Sequence, residues 1–241
     1  MTRMRASNRR RPLLLAVLAA GALGAGCGLI DLDSFNRLTF QIPPKSFSLS
    51  TQDPRWKAAP QAFSTVPVSC ATAQDCCAPL GGLVSCSQFP LKCDAGVCAM
   101  EFVVEIPKLI DLGKEVPELT KLHGRVLSEI LLETLEYTAT STLNVILPAV
   151  DVYVAPANVS SAVGNPAARK IATIPMIASG AQVSETIVIS SDGQQAFSAF
   201  AKDFQTPFNI IATTTVLVRS GSPPPSGGVN VNVTGKVTAK L

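Results

Sequence analysis

Val229-Asn230-Val231-Asn232-Val233-Thr234 puts an aliphatic side chain at every second position and a polar one between. A period of two is the mark of a strand with one dry face and one wet face. The pattern runs on to Leu241, and Phe208–Val218 upstream is a second long β-branched run. Gly221–Gly228, with three consecutive prolines, separates the two and reads as a long hairpin connection. Further out, Glu185–Ser190, Lys170–Ile177, Val150–Val154, Leu143–Leu147, Leu135–Thr142 and Met100–Ile106 read as strands. Pro148 demotes the pair around it to a bulge or edge position. Leu38–Ile42 and Phe47–Leu49 alternate on either side of Pro43-Pro44. Roughly eight strands with turn signals between them predict an all-β protein, mainly an antiparallel β-sandwich.

The expected class is immunoglobulin-like or LEA-like, with one short helix and a small disulfide-rich insertion. Leu143–Pro156 alone resembles the stress-related LEA-type-2 sandwich domains, and that resemblance assigns no residue a role.

The one well-signalled helix follows Asp192, which is placed to cap it, with Gln195 in capping-box position. Phe197, Phe200 and Phe204 then share a face, and Thr206-Pro207 stops the helix. Those three rings either close one end of the sandwich core or line an apolar pocket between the sheets. Between Leu112 and Val126 apolar residues recur at helical spacing, but Gly113, Pro117 and Gly124 interrupt them. A short helical or irregular link near 116–123 is expected there.

The first 26 residues read as a signal peptide. Arg3, Arg5, Arg9, Arg10 and Arg11 precede the apolar run Leu13–Leu23, then Gly24, Ala25, Gly26 and Cys27. Eleven apolar residues fall short of the roughly 20 needed to span a bilayer as a helix. Leu23-Gly24-Ala25-Gly26-Cys27 resembles a bacterial lipobox, with Gly24 where Leu is usual. The resemblance implies acylation (palmitate included) of Cys27 and a membrane anchor at the mature N-terminus. Gly28, rather than Asp, resembles the pattern that sorts lipoproteins to the outer membrane of Gram-negative bacteria. Removing residues 1–26 takes away five of the 20 basic residues and none of the 17 acids, so the remainder carries 15 against 17. The sequence pI near 8.5 therefore belongs to the leader. No clustered Lys and Arg remain to bind nucleic acid.

Cys70, Cys76, Cys77, Cys86, Cys93 and Cys98 all fall within one Gly-, Ser- and Pro-rich window. An even number in an exported, core-poor segment predicts three disulfides within residues 70–98. Adjacent Cys76 and Cys77 are expected to reach different partners, and spacing selects no pairing. The window has no CxxC pair and no His, so no resident metal site is expected. The ending Cys93-Asp94-Ala95-Gly96-Val97-Cys98 resembles small Cys-rich modules of secreted proteins, which implies a structural staple.

Candidate chemistry is sparse. His123 is the only histidine, and no G-x-S-x-G, P-loop or H-E-x-x-H motif occurs. Glu115/Glu118, Glu129/Glu133 and Asp31/Asp33 read as solvated sides of elements. No enzyme activity and no cofactor are expected. The organisation expected is a signal peptide over 1–26, strands and a loop over 27–69, a disulfide-rich insertion over 70–98 and a sandwich body over 99–241. Two functions fit: a lipid-anchored scaffold or interaction module for envelope proteins, or a carrier of an apolar ligand such as a lipid. A mean hydropathy of +0.32 favours the second; the anchor and the sparse chemistry favour the first.

Overall fold

Period-two runs become strands wherever one face can be buried, and nine do so here. The computed structural model describes residues 37–52, 63, 66–80, 90–121 and 127–241. Cys27, Cys86, His123 and Asp31/Asp33 lie outside those residues. One sheet has the order β1 (Arg37–Ser50), β9 (Gly228–Lys240), β4 (Glu129–Ser141), β7 (Gln182–Ile187). The other runs β2 (Leu91–Asp94), β3 (Val97–Ile110), β8 (Phe208–Arg219), β5 (Val150–Pro156), β6 (Arg169–Ile174). Every pairing is antiparallel. Inward side chains from both sheets, among them Phe40, Phe47, Leu132, Val152, Val216 and Val237, form one continuous core. The protein is an all-β sandwich with short helices.

Pro43-Pro44 does not divide two strands, as the sequence suggested; it bulges one. The register of β1 against β9 slips between Ile42, opposite Gly235, and Lys45, opposite Val233. One extra residue flips the alternation, so Phe40 and Ile42 before it and Phe47 and Leu49 after it all face the core. β1 is an edge strand that pairs only with β9, and edges and bulges are where a strand tolerates proline. Pro107 obeys the same rule inside β3. The Glu101 N–H points outward to the Pro90 carbonyl (2.9 Å), so six residues on, the Pro107 nitrogen also faces the edge that β2 leaves open.

A second bulge sits in β4 between Leu132 and Thr134, again turning the buried positions from even to odd numbers. Here β7 ends opposite Leu135, so Leu132, paired with Val237 of β9 on one side, has no strand on the other. Helix α4 (Ser191–Ala201) supplies the substitute. The Leu132 N–H donates to Gln194 Oε1 (3.0 Å), and the Gln194 amide donates back to the Leu132 carbonyl. Gln194→Ala strands both backbone groups part-buried and is expected to cost about 1–3 kcal/mol. Thermal unfolding of the variant measures it, and an unchanged midpoint would exclude the pairing.

Four expectations change. First, β8 and β9 lie in different sheets, so residues 220–227 cross over rather than close a hairpin. Both edges of β8 are already taken by β3 and β5, which leaves β9 no place beside it. Gly227 is positioned for the crossing by a φ of 97°, and a Cβ there would come within 2.1 Å of the Thr142 carbonyl oxygen. Second, Leu143–Leu147 is not a strand. Leu143 and Leu147 are buried plugs in an irregular crossing, tied by an isolated bridge from Leu147 to Ile177. Third, the link after β3 is two single-turn helices, α2 (Leu112–Glu115) and α3 (Pro117–Thr120), because Pro117 can start a helix but not continue one. Fourth, helix α4 (Ser191–Ala201) is capped by Ser190, whose hydroxyl accepts from the Gly193 N–H, and not by Asp192. It also ends before Phe204.

Candidate functional site

Three places follow from the sequence or stand out in the fold: the rings on α4, the cysteine segment, and the surfaces that no element covers.

The α4 rings face inward. Phe197 is 1% exposed and meets Phe208 edge-to-face at 6.1 Å between centroids. Phe200 is half-buried and tilts against Phe208 at 6.2 Å. Phe204 is buried just beyond the helix. Beneath Phe197 lies a cavity of only about 40 Å³, bordered by Ile110, Leu135, Val152, Ile171 and Val233. A second void of about 30 Å³ lies between the sheets against Phe47, Val104, Leu147 and Val231. Each has room for about one water molecule, and both are lined almost wholly by carbon. The rings therefore close the core here rather than roof a large pocket.

The cysteine segment is a compact satellite. Helix α1 (Ala73–Leu80) brings Cys76 to Cys98 on β3, and Cys70 bonds Cys93 on β2, with Cα separations of 5.4 and 5.7 Å. Cys77 is disulfide-bonded as well. Cys76 and Cys98 are wholly buried with Phe63, Met100, Phe102 and Val218 in a cluster separate from the main core. Yet the segment is not detached: β2 pairs with β3, so the staple is also the rim of the five-stranded sheet.

Three of the carboxylates noted in the sequence, Glu115, Glu129 and Glu133, are engaged in ion pairs. Glu115 pairs with Lys45 at 2.6 Å, Glu129 with Lys240, and Glu133 with Lys236 at 3.2 Å while accepting from the Thr238 hydroxyl. Hydrogen bonds from Lys240 hold the Glu129 carboxyl below its ordinary pKa, and bonds from Thr238 and Lys236 do the same for Glu133.

One carboxylate the sequence reading passed over has a clear structural task. Glu105 on β3 accepts from the Ser161 hydroxyl (2.6 Å) and from the amides of Ala162 (2.6 Å) and Val163 (3.0 Å). Asn209 on β8 donates to the carbonyls of Ala157 and Val159 at 2.9 and 2.8 Å. Together they strap the β5–β6 loop over the outer face of the second sheet, burying Ile211 with Ala155 and Ala162. This explains why β8 is buried on both faces and reads as a continuous apolar run. Partial burial pushes the Glu105 carboxyl up; the Ser161, Val163 and Ala162 hydrogen bonds outweigh that and leave its pKa below the usual value. The strap's stabilisation is thus present above the ordinary glutamate pKa and is lost as pH falls through the lower folded value. Glu105→Gln is expected to cost about 1.5–3 kcal/mol. Hydrogen exchange at Ala162 and Val163 should accelerate in the variant at neutral pH and in the wild type only in acid.

An open concavity of about 600 Å³ lies between β6 and the end of β7, against Lys170, Thr173, Pro175, Val188, Ser190 and Asp192. Val188 is 89% exposed there, and neighbouring Met176 is 71% exposed. Among the described residues no helix is long and apolar enough to cross a membrane.

No protein-family model and no curated protein matches the chain. Among solved structures, a chain of Desmodium yellow mottle tymovirus is 10% identical with a TM-score of 0.24, covering 100% of this chain and 93% of its own. One of turnip yellow mosaic virus is 10% identical with a TM-score of 0.27, covering 96% and 90%. One of Israeli acute paralysis virus is 11% identical with a TM-score of 0.30, covering 96% and 85%. Likeness this low carries no argument about this protein.

Proposed function

We propose that the protein is a lipid-anchored, non-catalytic lipoprotein of the bacterial cell envelope, with the sandwich acting as an interaction or scaffold module. The observation that carries the reading is the order of the N-terminal sequence: five arginines, Leu13–Leu23, Gly24-Ala25-Gly26, then Cys27. Two or three acyl chains, at about 0.8 kcal/mol per buried methylene, make such an anchor effectively permanent, whereas one chain alone is marginal. Gly28 supports the outer membrane of a Gram-negative cell as its destination. The small size of the inter-sheet voids supports a scaffold over a lipid carrier. A ligand site for a molecule of that class occupies roughly 300 Å³ or more, against about 30 and 40 Å³ here. The exposed β6–β7 concavity offers surface to envelope proteins.

The test is metabolic labelling with radioactive palmitate. Wild-type protein should take up label and stay in the membrane fraction through a high-salt wash, and Cys27→Ser should take up none. Label on the Cys27→Ser protein, or none on the wild type, would end the lipoprotein reading. Native mass spectrometry of the soluble Cys27→Ser form addresses the carrier alternative: a bare polypeptide mass is expected, and a co-purifying lipid would reverse the preference.

A further inference from the structure

Two disulfides of the cysteine segment, Cys70–Cys93 and Cys76–Cys98, are neighbours. The sulfurs of Cys70, Cys76 and Cys98 all lie within 4.8 Å of one another although they belong to two different bonds. The fourth sulfur, that of Cys93, is bonded to Cys70, and Cys93 sits directly opposite Cys98 in the β2–β3 hairpin. Three chain segments thus deliver four thiol-bearing residues to one spot.

Hydrogen bonds as well as covalent ones hold that convergence. The Cys70 N–H donates to the Gly96 carbonyl (3.0 Å) and the Cys98 N–H to the Val68 carbonyl (2.8 Å). Ser69 bridges Val97, and the hairpin turn at Ala95-Gly96 uses positive φ at both residues. Asp75 caps the start of α1 by accepting from the amides of Ala71 and Thr72 at 2.8 and 2.6 Å. The packing of Phe63, Met100, Phe102 and Val218 backs the site from below. None of these contacts is itself an S–S bond: backbone hydrogen bonds tie residues 68–70 to the β2–β3 hairpin, and the packing around buried Cys76 seats α1 against it.

We propose that the reduced form of this segment is a zinc site, with Cys70, Cys76, Cys93 and Cys98 as thiolate ligands. Four sulfurs in a tetrahedral set suit Zn²⁺, whose bonds to sulfur of about 2.3 Å place ligands slightly less than 4 Å apart. The Cys70, Cys76 and Cys98 sulfurs already lie within 4.8 Å of one another; the Cys93 sulfur stands outside that group and has to turn in from its place beside Cys70. The steps balance simply. Each disulfide takes two electrons and two protons from a dithiol reductant, which leaves as its own disulfide. Zn²⁺ then displaces the four thiol protons, with no change in the oxidation state of the metal. Oxidation and metal loading are therefore alternative ways to close the same segment, and the anchoring reading plays no part in this.

The test uses the purified protein, reduced anaerobically with a phosphine that is then removed, and titrated with Zn²⁺ against a chromophoric chelator. One Zn²⁺ per chain is expected, with none taken up by the oxidised protein. Co²⁺ in place of Zn²⁺ should give a thiolate-to-metal charge-transfer band. Cys70→Ser and Cys98→Ser should each lose it, and Cys77→Ser should retain it. Should a variant fail to fold, X-ray absorption of the wild-type zinc complex decides alone: four sulfurs at about 2.3 Å are expected. A shell containing nitrogen or oxygen, no uptake on reduction, or a cobalt band that depends on Cys77 would overturn the proposal.

Discussion

Phe197→Ala lowers the unfolding free energy by about 3–5 kcal/mol, the range for removing a fully buried aromatic ring. Phe197 is 1% exposed, forms the roof of the small void under α4, and supplies the edge-to-face contact with Phe208 at the start of β8. The cavity left behind merges with existing free space instead of collapsing, since the walls on β4, β5 and β9 are held by their ladders. That places the cost toward the top of the range. Against a total stability of about 5–15 kcal/mol for a domain, the variant should be marginal at 37 °C. Urea unfolding followed by fluorescence or circular dichroism measures the loss. A change below about 1 kcal/mol would mean that the helix rests on the surface and that its ring is not part of the core.

Gly193→Ala has the opposite sign from the one helix propensity assigns. On an isolated helix the exchange gains about 0.5–1 kcal/mol, because glycine is the more flexible residue. Here α4 packs so closely on β6 that a Cβ would stand 2.2 Å from the Ile171 carbonyl oxygen and 3.0 Å from its Cα. Backbone cannot rotate aside as a side chain can, so the helix must lift. Overpacking of this kind costs about 1–3 kcal/mol and exceeds the propensity gain. Lifting also breaks the Gln194 pairing with Leu132, so the loss should lie at or beyond the upper figure. Amide exchange at Leu132, faster in the variant than in the wild type, reports that coupling specifically. A Gly193→Ala protein as stable as the wild type would show that α4 stands further from β6.

Much of the fold was readable because period-two alternation is a local property. Val229–Thr234 and Met100–Ile106 lie in strands, and Leu135–Thr142 does up to Ser141, since each carries its own wet and dry face. The α4 rings were legible for the same reason at helical period. Its cap was not: Ser190 and Asp192 are both good caps, and the choice fell to the one whose position lets Gly193 slide under Ile171. Of the candidate site, the cysteine window was visible as composition, but 15 pairings fit six cysteines. The pairs Cys70–Cys93 and Cys76–Cys98 became apparent only once the hairpin had set Cys93 opposite Cys98. Glu105 left no trace in the sequence, because its partners, residues 161–163, are more than 50 positions away.

The sequence by itself determined the class of the protein: alternation without long helical periods commits the chain to sheets, and a core-poor window with clustered cysteines commits it to covalent closure. It also carries, in the order of five arginines, Leu13–Leu23, Gly24-Ala25-Gly26 and Cys27, the pattern on which the proposed lipid anchor rests. Only the tertiary structure decided which strands share a sheet. Phe208–Val218 and Val229–Leu241 follow one another in sequence and both read as strands, so local energetics permit a hairpin. They separate because β3 and β5 satisfy both edges of β8, and because the dry face of β9 can be buried only from the other side of the core. Even the two prolines of β1 take their meaning from that placement: on an edge they are a bulge that keeps Phe40 and Phe47 on one face, and in the middle of a sheet they would have ended the strand.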